Sequence, residues 1–411
     1  MLSSRRGSSA GGLFSWFFTG LWSARVSRKP SSRPPTALFL IERPTPQRTP
    51  VLDELSRRLL NVQIKVLYCR GDDGGRGWGN GNLNHPHVTL PAGFWSQLIA
   101  VANIFVSTRV EMVCSFGYRR PAQLVALTVA RCRGLPIVTR ADANPLDAAE
   151  SGAGRRLARR WAMRALFGTC ARIWAIGSAN ERYWNQLGFH NRTLIPYTVP
   201  EPPLGDPNEA RRLRAELGEP GFVFLYVGRL SPEKAPLDVV AGFREYLAKT
   251  PGRSHLVIVG DGPQRPEVER QVLGEATMTL VGACDHQYLG HYYLAADVLV
   301  VPSHREGWGL VVNEAVANGL PVVASDRVAA ADDLLDPATC WRYRTGDIRG
   351  LGEAMFRASQ EARRMIPCLG ENVAYRMAAE IEALIPRPRR SAEAEATRSA
   401  VRRRAGGLVR R

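Results

Sequence analysis

Short apolar runs recur along the chain, and between them apolar residues return every three or four positions. ALFLI at 37–41 reads as a first buried strand, followed by the Pro-rich loop ERPTPQRTP and an amphipathic helix from Val51 to Leu60. IKVLYC at 64–69 is a second strand, and the Gly-, Asp- and Asn-rich stretch 71–84 is a long loop. The pattern predicts a helix around 94–105, a strand around 110–114, a helix around 121–133 and a strand at 135–140. The basic segment 154–167 reads as a helix, followed by strand 172–177, another helix and a strand near 193–196. Alternation of helices with wholly apolar strands marks a parallel sheet covered on both faces.

PYTVPEPPLGDP at 196–207 can continue neither helix nor sheet, so it separates two halves. The second half restarts the pattern with strands at 222–228, 255–260, 278–282 and 297–303. Helices are expected near 235–249, 263–273, 286–295, 309–318 and 328–335. The expected fold is α/β, with two doubly wound Rossmann-like domains facing a cleft. Residues 36–200 form the first domain, 201–220 the linker and 221–386 the second domain. Open sheets of this kind bind ligands beyond the carboxyl ends of their strands.

Length agrees, since 411 residues exceed one ordinary core. The formal charge of +17 invites a nucleic-acid reading, but its distribution argues otherwise. Residues 1–35 hold six cations and no acid, and 387–411 hold nine arginines against Glu393 and Glu395. That leaves +4 for the whole middle. The excess sits on a basic leader and a basic tail, both expected to be disordered, which can touch acidic lipid or nucleic acid by charge alone. No specific nucleic-acid partner is expected.

The apolar stretch at 13–22 is shorter than the roughly 20 residues that span a bilayer. A signal peptide or an interfacial anchor would look similar, but Trp22-Ser23-Ala24 is a poor cleavage site, and the stretch reads first as an unremarkable or misassigned leader. Seven scattered cysteines without a CxxC pair argue against a disulfide framework or zinc site and for a reducing, cytoplasmic setting.

The most informative segment is DVLVVPSHREGWGLVVNEAVANGLPVVASD at 297–326. A buried strand ends at Pro302-Ser303, a loop carries Gly307 and Gly309, and a helix begins near Leu310. The glycines let backbone approach a ligand closely, and the first free amides of the helix suit a diphosphate. Glu314 sits one turn in, about 6 Å deeper, where it can accept hydrogen bonds from ribose hydroxyls. Glu306 precedes the glycines and faces the position of a sugar. The plain alternative is an ordinary turn with two solvated glutamates. VGRLSPEKAP at 227–236 adds Arg229 and Lys234 at the end of another strand, where two cations can neutralise a pyrophosphate. The turn VGDGP at 259–263 is weak evidence by itself.

Together these segments resemble the C-terminal domain of family four (group 1) retaining glycosyltransferases with the GT-B fold. The resemblance covers 225–335 closely. It is looser in the first half, through PTPQRTPVLDEL (44–55), VCSFGYRRPAQ (113–123) and PIVTRADAN (136–144). It implies a nucleoside-diphosphate sugar as donor substrate, no metal or other cofactor, and a glycan or lipid-linked acceptor in polysaccharide or glycolipid synthesis. It further implies that Glu306 contacts the transferred sugar and Glu314 the donor ribose. Arg229 and Lys234 would hold the diphosphate, with Gly228, Gly307, Trp308, Gly309 and Leu310 lining the donor. Asp142 would approach the acceptor or the transferred sugar, accompanied by Arg140.

Two departures stand out. The loop after Ser325-Asp326 reads Arg-Val-Ala-Ala-Ala (327–331) where relatives often have a glycine, and the first loop has Pro44, Pro46 and Arg48 in place of a Gly-Gly pair. Arg48 offers an acceptor contact or simply a solvated side chain. The arginines of helix 154–167, together with both basic ends, suggest peripheral contact with an anionic cytoplasmic membrane face, against the alternative of a solvated charged side. His85 and His87 read as part of a satisfied surface loop without a partner carboxylate, and no histidine shows metal-ligand spacing. The rival functions are a sugar-nucleotide epimerase of the same fold and a non-catalytic nucleotide or nucleic-acid binder.

Overall fold

Among the described residues, the ten apolar runs named above and three further strands make thirteen parallel strands in two sheets, seen in a computed structural model. It describes residues 33–71, 83–142, 153–199, 202–250, 252, 254–368 and 373–385. In the first sheet the order is β3 (His87–Thr89), β2 (Gln63–Tyr68), β1 (Thr36–Ile41), β4 (Val110–Phe116), β5 (Ile137–Arg140), β6 (Arg172–Ala175) and β7 (Arg192–Leu194). The second runs β10 (Met278–Gly282), β9 (Ser254–Val259), β8 (Phe222–Val227), β11 (Val298–Val301), β12 (Val322–Ser325) and β13 (Cys340–Tyr343). Both reverse direction once, between β1 and β4 and between β8 and β11. Such reversal points open crevices at strand ends.

Helices cover both faces, which explains why strands such as β1 and β9 are buried along their whole length. One face of the first sheet carries α2 (Phe94–Ser107), α3 (Pro121–Cys132), α4 (Ala153–Phe167) and α5 (Ser178–Gln186). The other carries α1 (Thr49–Arg58), whose Leu52 and Leu55 are fully buried. The second sheet is flanked by α7 (Pro236–Lys249), α8 (Arg265–Val272), α9 (His286–Ala295), α10 (Leu310–Ala317), α11 (Ala329–Leu334) and α12 (Ile348–Glu361). Prolines occupy the first turn of α3, α7 and α8, where a missing N–H costs nothing.

The expected boundaries need correction at two places. Residues 201–220 are not simply a linker, because Pro207–Glu216 form helix α6, capped by Asp206, whose carboxylate accepts from Asn208 N at 2.7 Å. That helix packs on α9, and Arg214 pairs with Asp297 at 3.1 Å, so it belongs to the second body. The second domain also ends before 386 in space. The final helix α13 (Val373–Leu384) lays Val373, Met377 and Ile381 into the core beneath the first sheet, beside Leu52 and Trp174.

The surface-loop reading of His85 is also corrected. β3 adds an edge strand there, and His85 is buried with Asp53 Oδ1 2.5 Å from Nδ1 and Tyr68 Oη 2.9 Å from Nε2. Burial lowers its pKa, against the pull of Asp53, so it is a neutral bridge between α1 and β2. Beyond 335 the structure adds β13, α12 and α13. The expected leader up to residue 32 and the tail over 387–411 lie outside the described residues. Among the described residues, no helix is long and apolar enough to cross a membrane.

Candidate active site

Because β8 and β11 are neighbours at the reversal of the second sheet, the loops that follow them emerge side by side. After β8 the chain passes Gly228 and exposed Arg229, then makes a 3-10 turn at Pro232–Lys234. Ala235 takes a left-handed conformation (φ 51°) to start α7. The turn is knitted to the other loop, since His304 N and Arg305 N both donate to the Glu233 carbonyl, at 2.9 and 3.1 Å. It delivers the Lys234 ammonium to Glu306 Oε2. Ser303 Oγ donates to the same oxygen at 3.2 Å. Glu306 keeps only a tenth of its side chain exposed, so it meets these partners in a sheltered place.

The turn at 259–263 supports this arrangement. Gly228 N donates to Val259 O and Leu230 N to Asp261 O, at 3.0 and 2.9 Å. Gly260 has φ +145°, and a Cβ there would fall on the Gly228 carbonyl. We expect Gly260→Ala to lower stability by about 2–4 kcal/mol, seen as a reduced urea midpoint.

Gly309, at φ +111°, begins α10, and no side chain caps that terminus. Its first amides therefore lack a side-chain partner at the lip that holds Arg229, Lys234 and Glu306. One turn in, Glu314 Oε2 accepts from Tyr293 Oη at 2.7 Å. Burial pushes the Glu314 carboxyl up to about 7, while the Tyr293 bond pulls it the other way. Trp308 differs from the expectation. Its ring is buried against Gly177 and Ile176 of the first body, and Nε1 donates to Asn313 Oδ1 at 2.7 Å. Its side chain joins the two bodies and does not line the lip.

From the first body, Asp142 at the end of β5 approaches Gly307. A Cβ on that glycine would lie 3.6 Å from the Asp142 Cβ. Tyr197 Oη donates to Asp142 Oδ1, and Arg48 Nη2 lies 3.0 Å from Tyr197 Oη and 3.7 Å from Asp142 Oδ2. Arg48 is thus not a solvated loop side chain. Burial opposes its charge, but Tyr197 and Asp142 outweigh that and raise its pKa. Arg140 does not accompany Asp142 toward a ligand. It is buried over the Tyr197 ring and donates to the carbonyls of Ile195 and Pro196, at 2.6 and 3.3 Å, bracing the crossing between the bodies.

Tyr293, Tyr197 and Asn313 are not apparent from the motifs. Asn313 Nδ2 donates to the Tyr197 carbonyl at 3.1 Å, linking α10 to the residue that holds Asp142. Tyr197 lies in a proline-rich stretch that reads only as a linker, and nothing near Tyr293 signals its contact. Among the described residues, no group of three or more His, Cys, Asp or Glu side chains could hold a metal ion.

A profile of the glycosyl transferases group 1 family matches residues 221–361, the stretch that contains this lip. The chain carries a group 1 glycosyltransferase domain. Curated relatives match in the same range of similarity. The D-inositol 3-phosphate glycosyltransferase of Nocardia farcinica is 36% identical over 144 residues, 32% of each chain. The 2-deoxystreptamine N-acetyl-D-glucosaminyltransferase of Niallia circulans is 29% identical over 150 residues, 36% of this chain and 38% of that one. The group 1 domain thus aligns with about a third of the length of the curated relatives it matches.

Solved structures align with both bodies. Anabaena Alr3699/HepE in complex with UDP has TM-score 0.62 and 16% identity, covering 85% of this chain and all of that one. The lipopolysaccharide outer core galactosyltransferase WaaB has TM-score 0.60 and 16% identity, covering 84% and 99%. The fold is GT-B, with the group 1 glycosyltransferase domain as its second half.

Proposed function

We propose that the chain is a retaining glycosyltransferase that moves a hexose-type sugar from a nucleoside-diphosphate donor to a glycan or lipid-linked acceptor. The observation that carries this reading is the shared lip. Lys234 and Glu306 pair from adjacent loops at a strand reversal, with Arg229 on the first of those loops, an uncapped helix terminus beside them, Glu314 one turn into that helix and Asp142 near Gly307.

Arg229, Lys234 and the α10 amides neutralise the diphosphate and the charge that grows on it as the sugar departs. Glu306 accepts hydrogen bonds from the transferred sugar, and Glu314 from the ribose. Asp142, held by Tyr197 and Arg48, meets the acceptor or the sugar from the first body. Closure of the cleft excludes water, so hydrolysis does not compete. The UDP in the Alr3699/HepE structure makes uridine the first base to try.

A thermal-shift and calorimetry panel with uridine and guanosine diphosphates and their sugars tests the donor. No stabilisation by any of them would remove the reading. Incubating the bound donor without acceptor separates transfer from epimerisation, which would yield an isomerised sugar nucleotide.

Glu314 adds a pH signature. Its raised pKa favours folding below its ordinary value of 4.5, and that contribution fades as pH rises through about 7. Ribose hydroxyls bind the ionised carboxylate better, so bound nucleotide pulls the pKa back down. Nucleoside-diphosphate affinity is expected to strengthen by up to about tenfold between pH 6 and 8 in isothermal titration. In Glu314→Gln that component is absent, which separates it from titration of the phosphate.

A further inference from the structure

The outer layer on one face of the first sheet has an unusual surface. Helix α2 has no charged residue, and neither α3 nor α4 contains an aspartate or glutamate. The three lie side by side. α2 packs on α3, Arg133 Nη1 donates to the Phe105 carbonyl, and Arg131 Nη1 donates to the Ala165 carbonyl of α4. Water-facing helices ordinarily turn charged residues outward. Here the outward positions of α2 are Trp95, Ile99, Asn103 and Val106, spaced as one helical stripe. Trp95 is 67% exposed and Val106 75%. Leu124 of α3 and Leu157 and Trp161 of α4 extend the apolar surface, with Trp161 65% exposed. Exposed Arg119, Arg131, Arg160 and Arg164 lie among and beside them.

We propose that this three-helix face docks on an anionic lipid bilayer. Tryptophan and aliphatic side chains enter the interface between headgroups and acyl chains, and arginines pair with lipid phosphates. The expected contact by 154–167 is one edge of this larger surface. A second copy of the chain is a poorer occupant. A two-fold interface would set the arginines of one copy against those of the other, with no acid on these helices to separate them. Nucleic acid is poorer too, since its binding depends on dense phosphate pairing and here apolar side chains dominate. The N-termini of the helices lie at the carboxyl ends of the strands, so Phe94 and Trp95 sit on the side of the cleft. A lipid-borne acceptor would meet Asp142 along the membrane surface; this consequence, unlike the docking itself, rests on the transferase reading.

The test is co-sedimentation of the full chain with phosphatidylcholine vesicles, with and without about 30% phosphatidylglycerol. Wild-type protein is expected to bind the anionic vesicles selectively. The paired change Trp95→Glu and Trp161→Glu should reduce partitioning by about tenfold or more. Arg119→Gln with Arg160→Gln should reduce it less and weaken its salt dependence. These side chains point outward, so circular dichroism melts should remain at wild type. Nucleoside-diphosphate affinity, read on the same variants, should not change, so loss of docking and failure of the donor reading are separable. Undiminished binding by the tryptophan pair overturns the proposal, as does equal binding to uncharged vesicles. So does a solution dimer that the tryptophan pair dissolves in light scattering.

Discussion

Glu306→Gln is expected to leave the fold and the affinity for nucleoside diphosphate close to wild type and to lower transfer by about 10²–10⁴-fold. Glutamine keeps the volume and one acceptor oxygen, so the loop after β11 stays closed on Ser303. It removes the charge that Lys234 and Ser303 hold in place in a side chain only 10% exposed. A steady-state assay with saturating donor, beside calorimetry with the diphosphate alone, separates the two effects. Transfer at wild-type rate would show that the carboxylate does not act on the sugar.

Lys234→Met should be nearly as costly to transfer, by about 10²–10³-fold, and should also weaken diphosphate binding. Two losses coincide in that variant. The cation for the departing diphosphate disappears, and Glu306 is left as a sheltered carboxylate without its ammonium. Residues that act as a unit are strongly non-additive. The double variant Lys234→Met, Glu306→Gln should therefore transfer no more slowly than the worse single one. A double variant whose loss is the product of the two singles would show that the residues work independently.

The features legible in the sequence are local ones. Apolar blocks show β1 and β9 as strand core, and the Gly307–Leu310 junction places Glu314 one turn into α10 by counting. Spacing also shows that Arg229, Lys234 and Glu306 follow strands, but not that the strands are neighbours; sheet order supplies that. Contacts that close over long separations are silent in the sequence. Arg48 meets Tyr197 across 149 positions, and Asn313 meets Tyr197 across 116. Trp308 misleads for a related reason. Between two glycines it looks exposed to a ligand, yet the ring turns into the seam against Gly177. His85 is similar, because its carboxylate partner sits 32 positions earlier on a helix whose polar face reads as facing water.

The return of α13 to the underside of the first sheet means that the polypeptide passes between the bodies twice, near 196–206 and again between 362 and 373. Two tethers permit far fewer relative movements than one, so swinging about the line through them is the motion that stretches neither. A fragment spanning 221–386 would accordingly carry a loose, greasy terminal helix, while a chain cut before 373 would uncover Leu52, Leu55 and Trp174 on the half it left behind.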